Sequence, residues 1–157
     1  SEAMPVDQAK TIQLYFPGEN SALLVPVTRM VYGNGDLETA MLELAKGPSV
    51  QSPLEGALPP GCGLIGVTVD GGVATINFTG DFIRIAENSD GGRAALRALV
   101  LTARQFEGVN EVRLQVEGQP YDPGRQTLAI PTFVNDASTI AEEYIRTQSE
   151  AILEPEE

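Results

Sequence analysis

The fold is decided by the stretch Val67-Thr68-Val69-Asp70-Gly71-Gly72-Val73-Ala74-Thr75-Ile76-Asn77-Phe78. Apolar and polar residues alternate on both sides of a central Asp-Gly-Gly, the pattern of two antiparallel strands joined by a tight turn. Glycine readily adopts the positive φ angles that such turns require. The sequence therefore predicts a hairpin with strands over residues 64–69 and 73–78, closed by residues 70–72.

Two further strands are predicted before this hairpin. Residues 11–16 alternate with Ile12, Leu14 and Phe16 on one face, as in a half-buried strand. After a turn at residues 17–20, a second strand is predicted over residues 23–32. Pro26 within it indicates an edge position or a bulge, because proline cannot donate a ladder hydrogen bond.

A helix and a long loop separate these strands from the hairpin. Asp36 is predicted to cap a helix that ends near Lys46, before Gly47-Pro48, since helices commonly end on glycine followed by proline. Leu37, Met41 and Leu44 form its apolar stripe. Residues 48–62 contain four prolines, which indicates an ordered but irregular loop.

One helix and one long strand are predicted after the hairpin. Ser89 or Asp90 can cap a helix over residues 92–106, with an inner face of Ala95, Leu99, Thr102 and Phe106. Residues 109–117 alternate as a strand, with Val112, Leu114 and Val116 inward. A short strand over 127–130 and a helix beginning near Thr139 are also predicted.

The predicted order β-β-α-β-β-α-β indicates an α+β fold, in which two helices cover one face of a mixed or antiparallel sheet. Residues 1–10 are expected to be disordered or tag-derived, and residues 11–120 to form the domain. Residues 121–135 are expected to be a closing loop with a short strand. Residues 136–157 are expected to be an acidic helical extension and tail.

The composition disfavours several functions. The chain has no histidine and a single cysteine, Cys62, which excludes Ser-His-Asp and Cys-His nucleophiles and the common cysteine–histidine zinc sites. The net charge is −12, and a phosphate backbone would repel such a chain. We therefore expect no cofactor, no metal and no nucleic-acid partner. No apolar run approaches the ~20 residues that span a bilayer.

Three local motifs have a functional and a structural interpretation. Gly61-Cys62-Gly63-Leu64-Ile65-Gly66 matches G-x-G-x-x-G, but a strand pattern follows it where a dinucleotide site needs a helix. Asp70 and Asp81 could form a carboxylate pair for glycoside hydrolysis only if they shared a cleft. Residues 88–92 precede a helix and could hold an anion. The structural interpretations, as turns and a cap, are favoured in each case.

Arg93, Arg97 and Arg104 are the candidate interaction residues. Their spacings of four and seven residues place them on one side of the predicted helix, away from its apolar face. Such a stripe is either a solvated face or a surface that docks an acidic partner or a neighbouring subunit.

Several ordered stretches resemble the GerMN domain of sporulation and germination proteins. They begin with Gln13-Leu14-Tyr15-Phe16, continue through Glu43-Leu44-Ala45-Lys46-Gly47-Pro48, Leu58-Pro59-Pro60-Gly61, residues 67–78 and Asp81-Phe82, and end with residues 101–106 and 112–118. Their order and spacing cover about residues 11–120. The resemblance implies a fold similar to ring-building βαββα domains, and it supplies no catalytic residues.

The resemblance also implies a role and a location. It implies a non-catalytic protein-interaction module on the outer face of the cytoplasmic membrane, with a lipid anchor in a longer precursor. The implied partners are other envelope or sporulation-complex proteins, or further copies of the chain. The alternative is peptidoglycan or other glycan binding, and hydrolysis of such a glycan is the less favoured variant of it.

Overall fold

The computed structural model describes residues 9–18, 23–121 and 128–129. The predicted helix near Thr139 and the acidic tail lie outside these residues. The first half of the described chain contains β1 (Ala9–Pro17), β2 (Leu24–Tyr32), α1 (Leu37–Lys46) and β3 (Leu64–Asp70). The second half contains β4 (Val73–Phe78), a 3-10 helix (Gly80–Glu87), α2 (Arg93–Ala103), β5 (Glu111–Val116), β6 (Gln119–Tyr121) and β7 (Leu128–Ala129).

Strands β1 and β2 form an antiparallel two-stranded sheet of their own. Ile12, Leu14 and Phe16 are buried on its inner face, as their alternation predicts. Pro26 lies opposite Tyr15 in β2, which pairs only with β1 within the described residues. The predicted edge position of Pro26 is therefore confirmed.

Helix α1 has the predicted bounds and caps. Asp36 accepts hydrogen bonds from the backbone N–H of Thr39 at 3.0 Å and from its hydroxyl at 2.8 Å. Gly47 ends the helix at φ +86° and donates its N–H to the carbonyl of Leu44. The predicted apolar stripe is buried: Leu37, Met41 and Leu44 are each at most 5% exposed.

The second sheet has the order β3-β4-β5-β6, and β7 also pairs with β5. Strands β3 and β4 form the predicted hairpin, with φ +59° and +83° at Gly71 and Gly72, the signs that a type I′ turn requires. Strands β4 and β5 are parallel, and α2 is in the crossover between them. Short strand β7 confirms the strand predicted over residues 127–130.

The sequence analysis did not predict two elements, the 3-10 helix and strand β6. The 3-10 helix buries Phe82 and Ile85, and the Phe82 ring stacks on Phe78 with centroids 4.6 Å apart. Strand β6 forms a hairpin with β5 through Glu117-Gly118, where Glu117 has φ +51°. Because Glu117 is a turn residue, β5 ends at Val116 and not at Glu117 as predicted.

Helix α2 is shorter than predicted. It runs from Arg93 to Ala103 and is followed by turns that include Gly108 at φ +88°. Ala95, Leu99 and Thr102 are buried as predicted, whereas Phe106 lies beyond the helix and is half-buried.

The predicted α+β class is confirmed, with the strands divided between two sheets. Helix α1 packs against β1, β3 and α2, and α2 also packs against β1. The outer edge of β1 contacts α2 and the proline-rich loop, since Gln13 bonds to Gln105 and Pro17 bonds to Glu55. These contacts take the place of a further strand at Gln13 and Pro17. None of the described helices has the length and apolarity to cross a bilayer.

Candidate interaction surface

The three predicted arginines lie along one side of α2. Arg93 begins the helix and is exposed, while Arg97 and Arg104 are half-exposed. The opposite side is buried through Ala95, Ala98, Leu99 and Thr102. We call the side with Arg93, Arg97 and Arg104 the basic face of α2. Val100, which lies on this same side between Arg97 and Arg104, is fully buried, so Arg93 is the most exposed of the three arginines.

The carboxylate of Asp90, which precedes α2 in the sequence, accepts hydrogen bonds at the start of the helix. The Asp90 carboxylate accepts hydrogen bonds at 2.8 Å from the backbone N–H groups of Gly92 and Ala94. The bond from Ala94 is the largest cause of a lowered pKa at Asp90. Gly92 occupies the N-cap position, and Asp90, not Ser89, supplies the side chain that accepts from the first turn of the helix. Its negative charge occupies the position where an external anion would bind, so the structural interpretation of residues 88–92 applies.

The two candidate catalytic carboxylates do not form a pair. Asp70 ends β3 at the hairpin turn, opposite Val73. Asp81 follows Phe78, which pairs with Leu64 at the other end of the hairpin. At about 3.3 Å per residue, the six residues of β4 separate these ends by roughly 20 Å. A glycosidase pair needs roughly 5–10 Å, so this arrangement cannot supply one.

The glycine motif is a turn that leads into β3. Gly61 has φ +81°, and Cys62 is buried. Burial, followed by the negative charge of Asp81, raises the pKa of the Cys62 thiol to about 11, with a partly opposing hydrogen bond from Thr79. The thiol is therefore protonated at neutral pH and a poor nucleophile. No helix follows the motif, so no phosphate site is built there.

The described part of the chain contains no cluster of side chains that could hold a metal ion. Over these residues, no three cysteine or carboxylate side chains lie close enough together to hold an ion.

The sequence analysis missed Arg29, which is the buried charged residue among those that the structure describes. Its guanidinium lies 3.2 Å from the Glu43 carboxylate and donates to the carbonyl of Gly47 at 3.0 Å. It also lies 5.8 Å from the centre of the Phe16 ring. Arg29 thus connects β2 to the carboxyl end of α1. The available signal was its position between Val27 and Val31, in phase with the buried face of β2.

A groove of about 540 Å³ lies between the proline-rich loop and the start of α2. It is lined by Pro17, residues 55–60, residues 88–90, and Ala94 and Ala95. We call this feature the loop–helix groove. Sequence reasoning missed it because residues far apart in the chain form its walls. Its lining includes no aromatic side chain, so it lacks the stacking surfaces that a glycan site would be expected to use.

Comparison with solved structures finds the same fold in other chains, among them two structures of one sporulation protein. The tandem GerMN domains of the sporulation protein GerM from Bacillus subtilis give a TM-score of 0.64 at 23% identity, over 82% of this chain and 47% of that chain. The chain thus spans about half the length of the tandem structure. The first GerMN domain of the same protein gives 0.56 at 14% identity, over 76% and 92% of the two chains.

The third structure is a candidate lipoprotein from Clostridium perfringens. It gives a TM-score of 0.50 at 21% identity, over 78% of this chain and 84% of that chain. Among curated proteins, no significant match to this sequence was found.

The family match covers most of the folded region. Residues 13–122 match the Germane family, which is described by the processes of sporulation and spore germination and not by a reaction. This match begins within β1 and extends past the end of β6, so it includes both α-helices and the loop–helix groove. The resemblance to GerMN domains is confirmed, and the chain belongs to the Germane family of sporulation and spore germination domains.

Proposed function

We propose that this chain is a non-catalytic binding domain of the bacterial cell envelope, acting in sporulation, germination or envelope assembly. Its basic face on α2 would dock an acidic partner protein or an acidic surface of a second copy. The observation that carries the proposal is the alignment of Arg93, Arg97 and Arg104 along one side of α2, with Arg93 exposed and the other two half-exposed.

The charge distribution supports this use of α2. The chain has ten basic residues against 22 acidic ones, so three arginines on one helix side form a local exception to its acidic character. Complementary charge accelerates encounter and fixes the orientation of two proteins. Arginine suits this role because its planar guanidinium can bind a carboxylate through two hydrogen bonds.

The envelope location rests on similarity. The family is one of sporulation and germination, and one chain of the same fold is described as a candidate lipoprotein. We propose the outer face of the cytoplasmic membrane for this chain, with a lipid anchor in a longer precursor. Peptidoglycan or glycan binding remains the alternative function, and a cell-wall pull-down tests it directly.

The proposed docking is tested by capture from envelope extract of the bacterium that encodes the chain. The test variant is R93E/R97E/R104E. The matched control is K10E/R84E/R113E, which changes the net charge equally at three exposed positions outside α2. We expect wild type and control to retain the same envelope protein or second copy and the test variant to lose it. Equal retention by all three would refute the assignment of the basic face.

A further inference from the structure

The loop–helix groove has an apolar floor and an acidic rim. Ala57, Leu58 and Ala95 are buried beneath it, and prolines of the loop form one wall. Among its lining residues, only Glu55 and Asp90 carry a charge, and both are exposed. The groove is open and its lining mixes polar and apolar surface, and its volume of about 540 Å³ is within the common size range of ligand sites.

Hydrogen bonds hold the backbone of Glu55 and the carboxylate of Asp90 in place. Glu55 donates its N–H to the carbonyl of Pro17 at 2.9 Å, which fixes the loop against the end of β1. Within the described residues, its carboxylate makes no hydrogen bond or ion pair. Asp90 is fixed by its bonds to Gly92 and Ala94. These bonds use only part of its accepting capacity, since a carboxylate offers about four lone-pair sites.

We propose that the loop–helix groove binds a basic side chain of a peptide segment from a partner protein. The aliphatic stem of a lysine or arginine would lie on the floor of Ala57, Leu58 and Ala95. Its cationic group would reach Glu55 and Asp90. Long basic side chains often bury their stems in this way while the charge stays near water.

This site is separate from the basic face of α2 and selects the opposite charge. Arg93 lies between the lining residues Asp90 and Ala94 in the sequence, but it does not line the groove itself. A partner with one acidic and one basic segment could therefore engage both surfaces, and each surface can be tested alone. Failure of one proposal leaves the other standing.

The test uses a fluorescein-labelled Ala-Ala-Lys-Ala-Ala peptide and measures binding by anisotropy. Two comparison peptides carry norleucine or glutamate in place of lysine. The variant E55Q/D90N removes both charges, and asparagine at position 90 retains a capping side chain. The control D70N/E107Q removes two exposed charges outside the groove. Amide chemical shifts in the lysine complex locate the binding position.

We expect the lysine peptide to bind wild type and control alike, and to shift the amides of Ala57 and Ala94. Loss of two charge-assisted contacts should raise the dissociation constant of E55Q/D90N by about tenfold or more. The norleucine and glutamate peptides should bind wild type no more tightly than the lysine peptide binds E55Q/D90N. Absence of lysine binding, equal norleucine binding, equal weakening in the control, or shifts outside the groove would each overturn the proposal.

Discussion

Gln105 bonds to both backbone groups of Gln13 and so holds the end of α2 against the outer edge of β1. Its side-chain amide accepts from the Gln13 N–H at 3.0 Å and donates to the Gln13 carbonyl at 2.7 Å. The same amide donates to the carbonyl of Thr102 at 2.7 Å. A side chain thus occupies the place of a neighbouring strand. The contact fixes the carboxyl-terminal end of the basic face relative to the first sheet.

Replacement of Gln105 by alanine should lower the free energy of unfolding by about 1–2 kcal/mol, because partly exposed hydrogen bonds are lost without a new cavity. Urea denaturation measures the change. Gln51→Ala, in the exposed part of the proline-rich loop, is the control and should change stability by less than about 0.5 kcal/mol. Equal effects of the two substitutions would show that Gln105 does not hold α2 to β1.

The two cationic partners of Glu43 should contribute very differently to stability. Arg29→Met leaves Glu43 and the Gly47 carbonyl without their buried partner, and removal of one member of a buried pair costs about 3–5 kcal/mol. Lys46 bonds to the same carboxylate at 2.8 Å, but its side chain is 67% exposed against 5% for Arg29. Lys46→Met should therefore cost less than about 1 kcal/mol. Comparable losses in thermal unfolding would contradict the role given to Arg29.

The helix-capping carboxylates should make stability depend on acid pH. Hydrogen bonds, chiefly from the Thr39 N–H and the Ala94 N–H, hold the pKa of Asp36 and of Asp90 below the ordinary value of 3.8. Their contribution is fully present above that value and is lost as pH falls through the lowered folded-state pKa. Asp90→Ala should cost about 1 kcal/mol at neutral pH.

The variant D36N/D90N retains capping side chains that do not titrate. Its stability should fall less steeply than that of wild type as pH decreases through the acid range. Denaturant midpoints measured at a series of pH values give this comparison, with D70N as the control. Parallel curves for wild type and D36N/D90N would exclude the caps as the source of the acid dependence.

Cys62 should resist thiol reagents in the folded protein. Because burial raises its pKa to about 11, iodoacetamide should modify the native chain slowly at pH 8 and faster as pH approaches that value. Unfolded protein should react readily at pH 8. Asp81→Asn removes the charge that is the second cause of the shift, so it should lower the Cys62 pKa. Rapid native modification at pH 8 would refute the assignment of an inert thiol.

Local signals in the sequence were sufficient to predict most elements. Asp36 and Gly47 set the bounds of α1 through bonds that span only a few residues, and Asp70-Gly71-Gly72 similarly closes the hairpin. The β5–β6 hairpin was missed because Glu117 adopts a positive φ angle, which asparagine or glycine more often signals. The 3-10 helix was missed because a short helix with a three-residue period lacks the usual apolar spacing.

Contacts between residues that are distant in the chain were not predictable from the sequence. Arg29 bonds to residues 14 and 18 positions away in the chain, so its burial depends on how β2 meets α1. The groove brings the end of β1, the proline-rich loop and the start of α2 together. In contrast, the regular spacing of 3.6 residues per helical turn is enough to align Arg93, Arg97 and Arg104. The basic face could therefore be predicted from sequence, and its binding role remains a proposal.

The most direct measurement of that role is retention of the captured partner as a function of salt, for wild type, K10E/R84E/R113E and R93E/R97E/R104E. Contacts between exposed charges are screened by added salt. We expect retention by wild type and the control to fall together as salt rises. Retention by R93E/R97E/R104E should be lower by about tenfold or more at low salt. Equal retention by the three proteins at every salt concentration would contradict docking through the basic face of α2.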